Sequence, residues 1–163
     1  MSSRAVSPAL RLSTLAVASC FATGAIALPT GATVVSGTAS FAQAPGQLTI
    51  TNSPGAIIQW QGFSIGAGEA ARFLQNSASS AVLNRVTGND PSAILGLLQS
   101  NGQVFLLNPN GIFFGPGSQV DVAGLVASTL NLSNADFVAG RFKFQSGDAT
   151  PGAVVNQIGR AHV

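Results

Sequence analysis

From Gly46 onward the chain is cut into runs of four to six apolar or alternating residues, each closed by Gly, Asn, Pro or Ser. That punctuation constrains the fold more than anything else in the sequence. A run so short is a poor helix on its own, but it makes one strand of a larger sheet. Residues 47–51 alternate with period two, and residues 56–60, 102–107 and 141–145 follow the same rule, so each is expected to be a strand with one buried face. One segment differs. Residues 91–99 predict a helix of about two turns, with Asp90 as cap and Pro91 at the first helical position.

Sliding the chain by 56 residues lays Gly46-Gln47-Leu48-Thr49-Ile50-Thr51-Asn52 over Gly102-Gln103-Val104-Phe105-Leu106-Leu107-Asn108, Gly55 over Gly111 and Ile57 over Phe113. Repeated strands joined by Asn- and Gly-bearing turns are what a parallel solenoid uses, each coil stacking on the next. In residues 111–128 the strands are too brief and the turns too tight for a hairpin sheet to bury both faces, whereas coils of a β-helix bury them. The expected fold is all-β, a parallel β-helix. Its interior should include Leu48, Ile50, Val104, Leu106, Val120 and Val122.

Only 7% of the residues are charged, against 46% hydrophobic and 19 Gly. An ordinary soluble domain carries about 25% charged residues, so Asn, Gln, Ser and Thr must wet this surface, which suits exported, stacked β-structure. The first residues agree with export. Arg4 and Arg11 form a positive segment, residues 12–25 are apolar and small, and Ala25-Ile26-Ala27 is a cleavage signature. Residues 1–27 are thus expected to be a signal peptide handed to the Sec machinery, with residues 28–163 as one domain. The apolar run is shorter than the roughly 20 residues of a spanning helix. Val17-Ala18-Ser19-Cys20 also looks like a lipobox, so acylation at Cys20 is the alternative. Cleavage after Ala27 leaves no cysteine and hence no disulfide framework. It also leaves five basic residues against five acidic ones, dispersed along the chain, which is no footprint for nucleic acid.

Catalytic chemistry finds little to work with. His162, in the terminal segment, is the only histidine, so neither a transition-metal site nor a Ser-His-Asp triad is expected. The acids Glu69, Asp90, Asp121, Asp136 and Asp148 form no local pair for glycan hydrolysis. Gly66-Ala67-Gly68-Glu69-Ala70-Ala71 matches a dinucleotide fingerprint, but residues 72–80 read as a short strand and a turn, not the required helix. No enzyme, cofactor or small-molecule substrate is expected. The sharpest local signal is Asn108-Pro109-Asn110-Gly111, in which Pro109 presets a turn, Asn110 tolerates the left-handed region and Gly111 accepts backbone that other residues refuse.

Longer blocks carry a specific family likeness. Ala81-Val82-Leu83-Asn84-Arg85-Val86-Thr87-Gly88, Asp90-Pro91-Ser92-Ala93-Ile94-Leu95-Gly96, Asn101 to Ile112 and Ala127-Ser128-Thr129 resemble the N-terminal secretion domain of filamentous haemagglutinin-like two-partner secretion exoproteins. Trp60, Phe63-Ser64-Ile65-Gly66 and Phe73 also sit where that family places such residues. The resemblance covers roughly residues 28–158. It implies a right-handed parallel β-helix with an N-terminal cap and short extra-helical strands. It further implies an address that directs a large adhesin or haemolysin to the periplasmic domains of a dedicated outer-membrane pore. Such a protein is secreted or displayed at the surface of a Gram-negative bacterium, by way of the periplasm. Asn108, Pro109, Asn110 and Gly111 are the secretion motif in this reading. Family members run on for many hundreds of residues, so this chain is expected to be a fragment or a truncated product, with residues 157–160 starting a further rung. The competing expectation is an adhesive surface module that binds host glycan or matrix.

Overall fold

The computed structural model describes residues 27–147 and 150–159. Two strands come first, β1 (Thr33–Ser36) and β2 (Ala39–Ala44). The coils are built from β3 (Gln47–Asn52), β4 (Ala56–Trp60), β5 (Ala70–Leu74), β6 (Ala81–Val86), β7 (Ser92–Ile94), β8 (Leu97–Leu107), β9 (Ile112–Phe114) and β10 (Gln119–Ser128). Next comes an excursion of β11 (Asn131–Leu132), helix α1 (Asn134–Val138) and β12 (Phe144–Gln145), then β13 (Val154–Asn156).

These strands stack in three parallel columns, making a β-solenoid of about four turns. The first column runs β3, β5, the first half of β8 and the first half of β10. The second runs β4, β6 and the remaining halves of β8 and β10. The third is β7, β9 and β13, with Ile65 bridged onto Ile94 above them. Antiparallel chain covers the N-terminal end: β2 lies on β3, β1 on β4, and Thr30 bridges Gly62. The cap and the β-helix expected from the sequence are both present.

Alternation sets which side chains face inward. Leu48, Ile50, Val104 and Leu106 are buried in one core with Trp60, Phe63, Ile65, Phe73 and Ile94. Each large side chain there contributes about 1.5–3 kcal/mol. Val120 and Val122 pack against this core but are only half-buried, because β10 has β8 on one side and, among the described residues, no strand on the other. The interior also holds a polar pair. Trp60 Nε1 donates to Asn84 Oδ1 at 3.0 Å and Asn84 Nδ2 donates to the Phe105 carbonyl at 3.3 Å, so this amide links three successive coils.

Three expectations need correcting. Residues 91–99 are not a helix: they hold β7, a corner at Gly96 and the start of β8. Ser92, Ile94 and Leu98 all point inward, and ladder pairing on both sides outweighs the marginal stability of a two-turn helix. The 56-residue match is a coincidence of composition. Gln47 stacks through Ala70 onto Leu97, whereas Gln103 stacks under Ala81 in the neighbouring column. The true coil advance is 23 residues from Gln47 to Ala70, 27 from Ala70 to Leu97 and 22 from Leu97 to Gln119. Within residues 141–145 only β12 is strand, paired antiparallel with β11.

The excursion covers an outward-facing apolar ladder on the second column, Ile57, Leu83, Phe105 and Val126. Leu132, Phe137 and Phe144 pack over it, with Phe105 and Phe137 edge to face at 5.3 Å. Arg85 ties the excursion down, donating to Asn134 Oδ1 at 2.7 Å and to the Leu132 carbonyl. Burial pushes its guanidinium below its ordinary pKa.

Candidate functional site

Asn108, Pro109, Asn110 and Gly111 form the corner where β8 passes into β9. Gly111 N donates to the Asn108 carbonyl at 3.1 Å, closing a four-residue turn with Pro109 at its second position. Asn108 Oδ1 accepts from Asn110 N at 3.0 Å, the Asx geometry that a short amide provides. The left-handed allowance expected at Asn110 is not used. Among the described residues only glycines have positive φ, and in this turn it is Gly111, at 119°.

The corner is stitched to the coils on both sides. Asn108 is completely buried, and its Nδ2 donates to the Asp90 carbonyl and to Ser92 Oγ, each at 3.0 Å. Asn110 Nδ2 donates to the Gly88 carbonyl at 2.8 Å and to Asn108 Oδ1 at 3.0 Å. Toward the next coil, Gly152 N donates to the Pro109 carbonyl at 2.8 Å and Ile112 N to the Ala153 carbonyl at 3.0 Å. Side chains are left at the surface only at Pro109 and Asn110. The four residues carry no titratable group, so the corner offers shape, a proline ring and amide hydrogen bonds. Those are means of recognition.

The dinucleotide-like segment is a turn that enters β5 directly, with Glu69 N donating to the Gly66 carbonyl at 3.0 Å, so the helix a phosphate site needs is absent there. No group of His, Cys, Asp and Glu suited to a metal ion occurs among the described residues. Sequence reasoning missed the corner between the first two columns. There Gln75 Nε2 donates to Ser100 Oγ at 3.1 Å, while Gln75 N and its carbonyl pair with the Asn101 amide at 2.7 Å each. It missed Ser92 as the partner of Asn108 as well; the available signal was the Asp90-Pro91-Ser92 turn chemistry, one coil earlier. The expected leader, apart from Ala27, and Cys20 lie outside the described residues.

The TPS secretion domain family matches residues 25–161, which is most of the chain. The chain belongs to that family. The solved HMW1 secretion domain of Haemophilus influenzae superposes with a TM-score of 0.76 at 43% identity, covering 78% of this chain and 35% of that one. A heme/hemopexin-binding protein of H. influenzae strain KW20 is 42% identical over 106 residues, or 64% of this chain and 12% of that protein. A second H. influenzae protein of that description is 37% identical over 89 residues, 55% of this chain and 10% of its own length. This TPS domain therefore spans about a tenth of the length of those two relatives. It shares its family with two-partner secretion exoproteins, and the likeness expected from the sequence holds at the level of family and fold.

Proposed function

We propose that this TPS domain is a secretion address: after Sec export and removal of residues 1–27, the periplasmic domains of a dedicated outer-membrane pore recognise it and carry it to the cell surface or the medium. It works by being bound, not by catalysis. Family membership carries the reading. The corner geometry supports its motif, because Asn108 and Gly111 hold a rigid turn that presents Pro109 and Asn110 outward. Without residues 1–27 the chain has five basic residues against five acidic ones, and its short amides and hydroxyls give a partner backbone and amide hydrogen bonds to pair with, so strand addition to the pore's periplasmic domains is the expected mode.

The test is affinity for the pore's periplasmic domains alongside folded stability for wild type, Asn108→Ala and Asn110→Ala. Loss of binding by Asn110→Ala beyond its loss of stability supports direct recognition at the corner. Binding that falls only in step with stability in both variants makes the corner a fold element, and no capture of the wild-type chain overturns the address. Two longer relatives are heme/hemopexin-binding proteins, which gives a second reading, ligand binding by this domain, to be tested beside the first. Capture by host glycan, matrix or hemopexin in place of the pore would assign an adhesive role to this domain itself.

A further inference from the structure

Glu69 stands at the corner where the third column turns into β5 of the first. Its Oε2 accepts two backbone amides, from Gly66 N at 2.9 Å and from Ala27 N at 3.0 Å. The backbone beneath is pinned on both sides: Glu69 N donates to the Gly66 carbonyl at 3.0 Å, and Leu97 N donates to the Glu69 carbonyl at 2.9 Å. A side chain at Gly66 would place its Cβ 2.6 Å from Oε2, so the carboxylate would have to swing out of this position, while the Ala27 Cβ at 3.6 Å would remain in ordinary contact. From there the N-terminal segment is held continuously. Leu28 is buried in the main core and Thr30 bridges Gly62. Among the described residues the one ion pair is Arg141 with Asp136, so this carboxylate faces amide donors and no side-chain cation.

A carboxylate fixed at the point where the chain first meets the solenoid is suited to a cation supplied by the chain itself. We propose that Glu69 is the receptor for the α-ammonium group created when the leader is removed. The proposal rests on reading residues 1–27 as that leader. Cleavage after Ala27 frees the amine of Leu28, about 3 Å along the backbone from the nitrogen that now meets Oε2. The buried Leu28 side chain keeps that amine beside Glu69. In the uncut precursor the group at this place is a neutral amide; after the cut it is an ammonium, and a charge-assisted bond replaces an ordinary one. Leader removal thereby fastens the cap to the second coil, so the processed chain closes its N-terminal end more firmly than the precursor does.

The experiment uses exported protein, wild type and Glu69→Gln, each before and after acetylation of its α-amine, with intact mass recorded first. In wild type, acetylation should lower Tm by about 3 °C. In Glu69→Gln, already less stable, it should change nothing. Equal shifts in both proteins overturn the proposal. A mass that retains the leader overturns the leader reading and the proposal with it, whereas a correctly cut chain whose Tm ignores acetylation overturns the proposal alone. If Glu69→Gln does not accumulate, the wild-type amine gives the readout. Held by a carboxylate, it should acetylate about tenfold more slowly in the folded chain than in urea, one pKa unit of protection; equal rates overturn it.

Discussion

Asn108 spends its whole side-chain amide on the corner, donating to Asp90 and Ser92 and accepting from Asn110. Truncation leaves a buried hydroxyl, a carbonyl and an amide without partners, so Asn108→Ala should cost about 2–3 kcal/mol in denaturant unfolding, well above one lost local hydrogen bond. Asn110→Ala gives up bonds at the surface and should cost about 1 kcal/mol. The turn was legible in the sequence because proline and glycine act through their own backbone limits. The burial of Asn108 was not, since the partners that satisfy it come from a corner 16 and 18 residues earlier. Gly96 is a similar case. A methyl there would overlap the carbonyl oxygens of Glu69 and Gly66, which are backbone and cannot move aside. Gly96→Ala should therefore cost about 3 kcal/mol or more, whereas Gly117→Ala, in open space at φ 84°, should cost about 1 kcal/mol.

The excursion is a short element held on by a few contacts. Ser133 caps α1, accepting from Asp136 N at 3.1 Å and donating to Asp136 Oδ2 at 2.8 Å, and Arg141 Nε donates to Asp136 Oδ1 at 2.9 Å. The hydrogen bond from Ser133, then that from Arg141, holds the Asp136 carboxyl below its ordinary pKa. A depressed carboxylate stabilises above its unfolded pKa and loses that contribution as pH falls through the folded value. Amide protection across residues 131–145 should fall below about pH 4 in wild type and show no such step in Asp136→Asn. Phe137→Ala uncovers the outer ladder and should cost about 3 kcal/mol. The cap signature Ser133-x-x-Asp136 was present in the sequence, but the apolar residues it serves were not recognisable as an outer layer. Alternation marks Ile57, Leu83 and Phe105 as pointing away from the core, and only the folded excursion makes that side buried. The helix expected at residues 91–99 fails for the same reason: Asp90 and Pro91 are residue types that suit a helix start, but the strand ladders on either side, which decide the conformation, are non-local.

Strand existence was legible along most of the solenoid, whereas its period was not. Coils of 23, 27 and 22 residues differ because their corners differ in length, so no fixed slide aligns them and a chance match at 56 stood out instead. Stacking gives the molecule two unlike ends. The N-terminal end is closed by antiparallel chain and by Phe41 and Trp60 edge to face at 5.7 Å. At the other end, among the described residues, β10 and β13 each keep a free edge, with Leu125, Val154 and Val155 exposed. A chain that continues the solenoid by one coil should raise Tm by several degrees, read by calorimetry, because it pairs those edges and completes the burial of Val120 and Val122. An unchanged Tm would show that the edges gain nothing from a further coil. For the secretion address itself, the most direct measurement is where the chain goes in a Gram-negative host with and without its outer-membrane partner. The processed chain should stay in the periplasm when the pore is absent and move to the surface or the medium when it is present, but not when the pore lacks its periplasmic domains. Release without the pore, or retention despite the intact pore, would contradict the assignment.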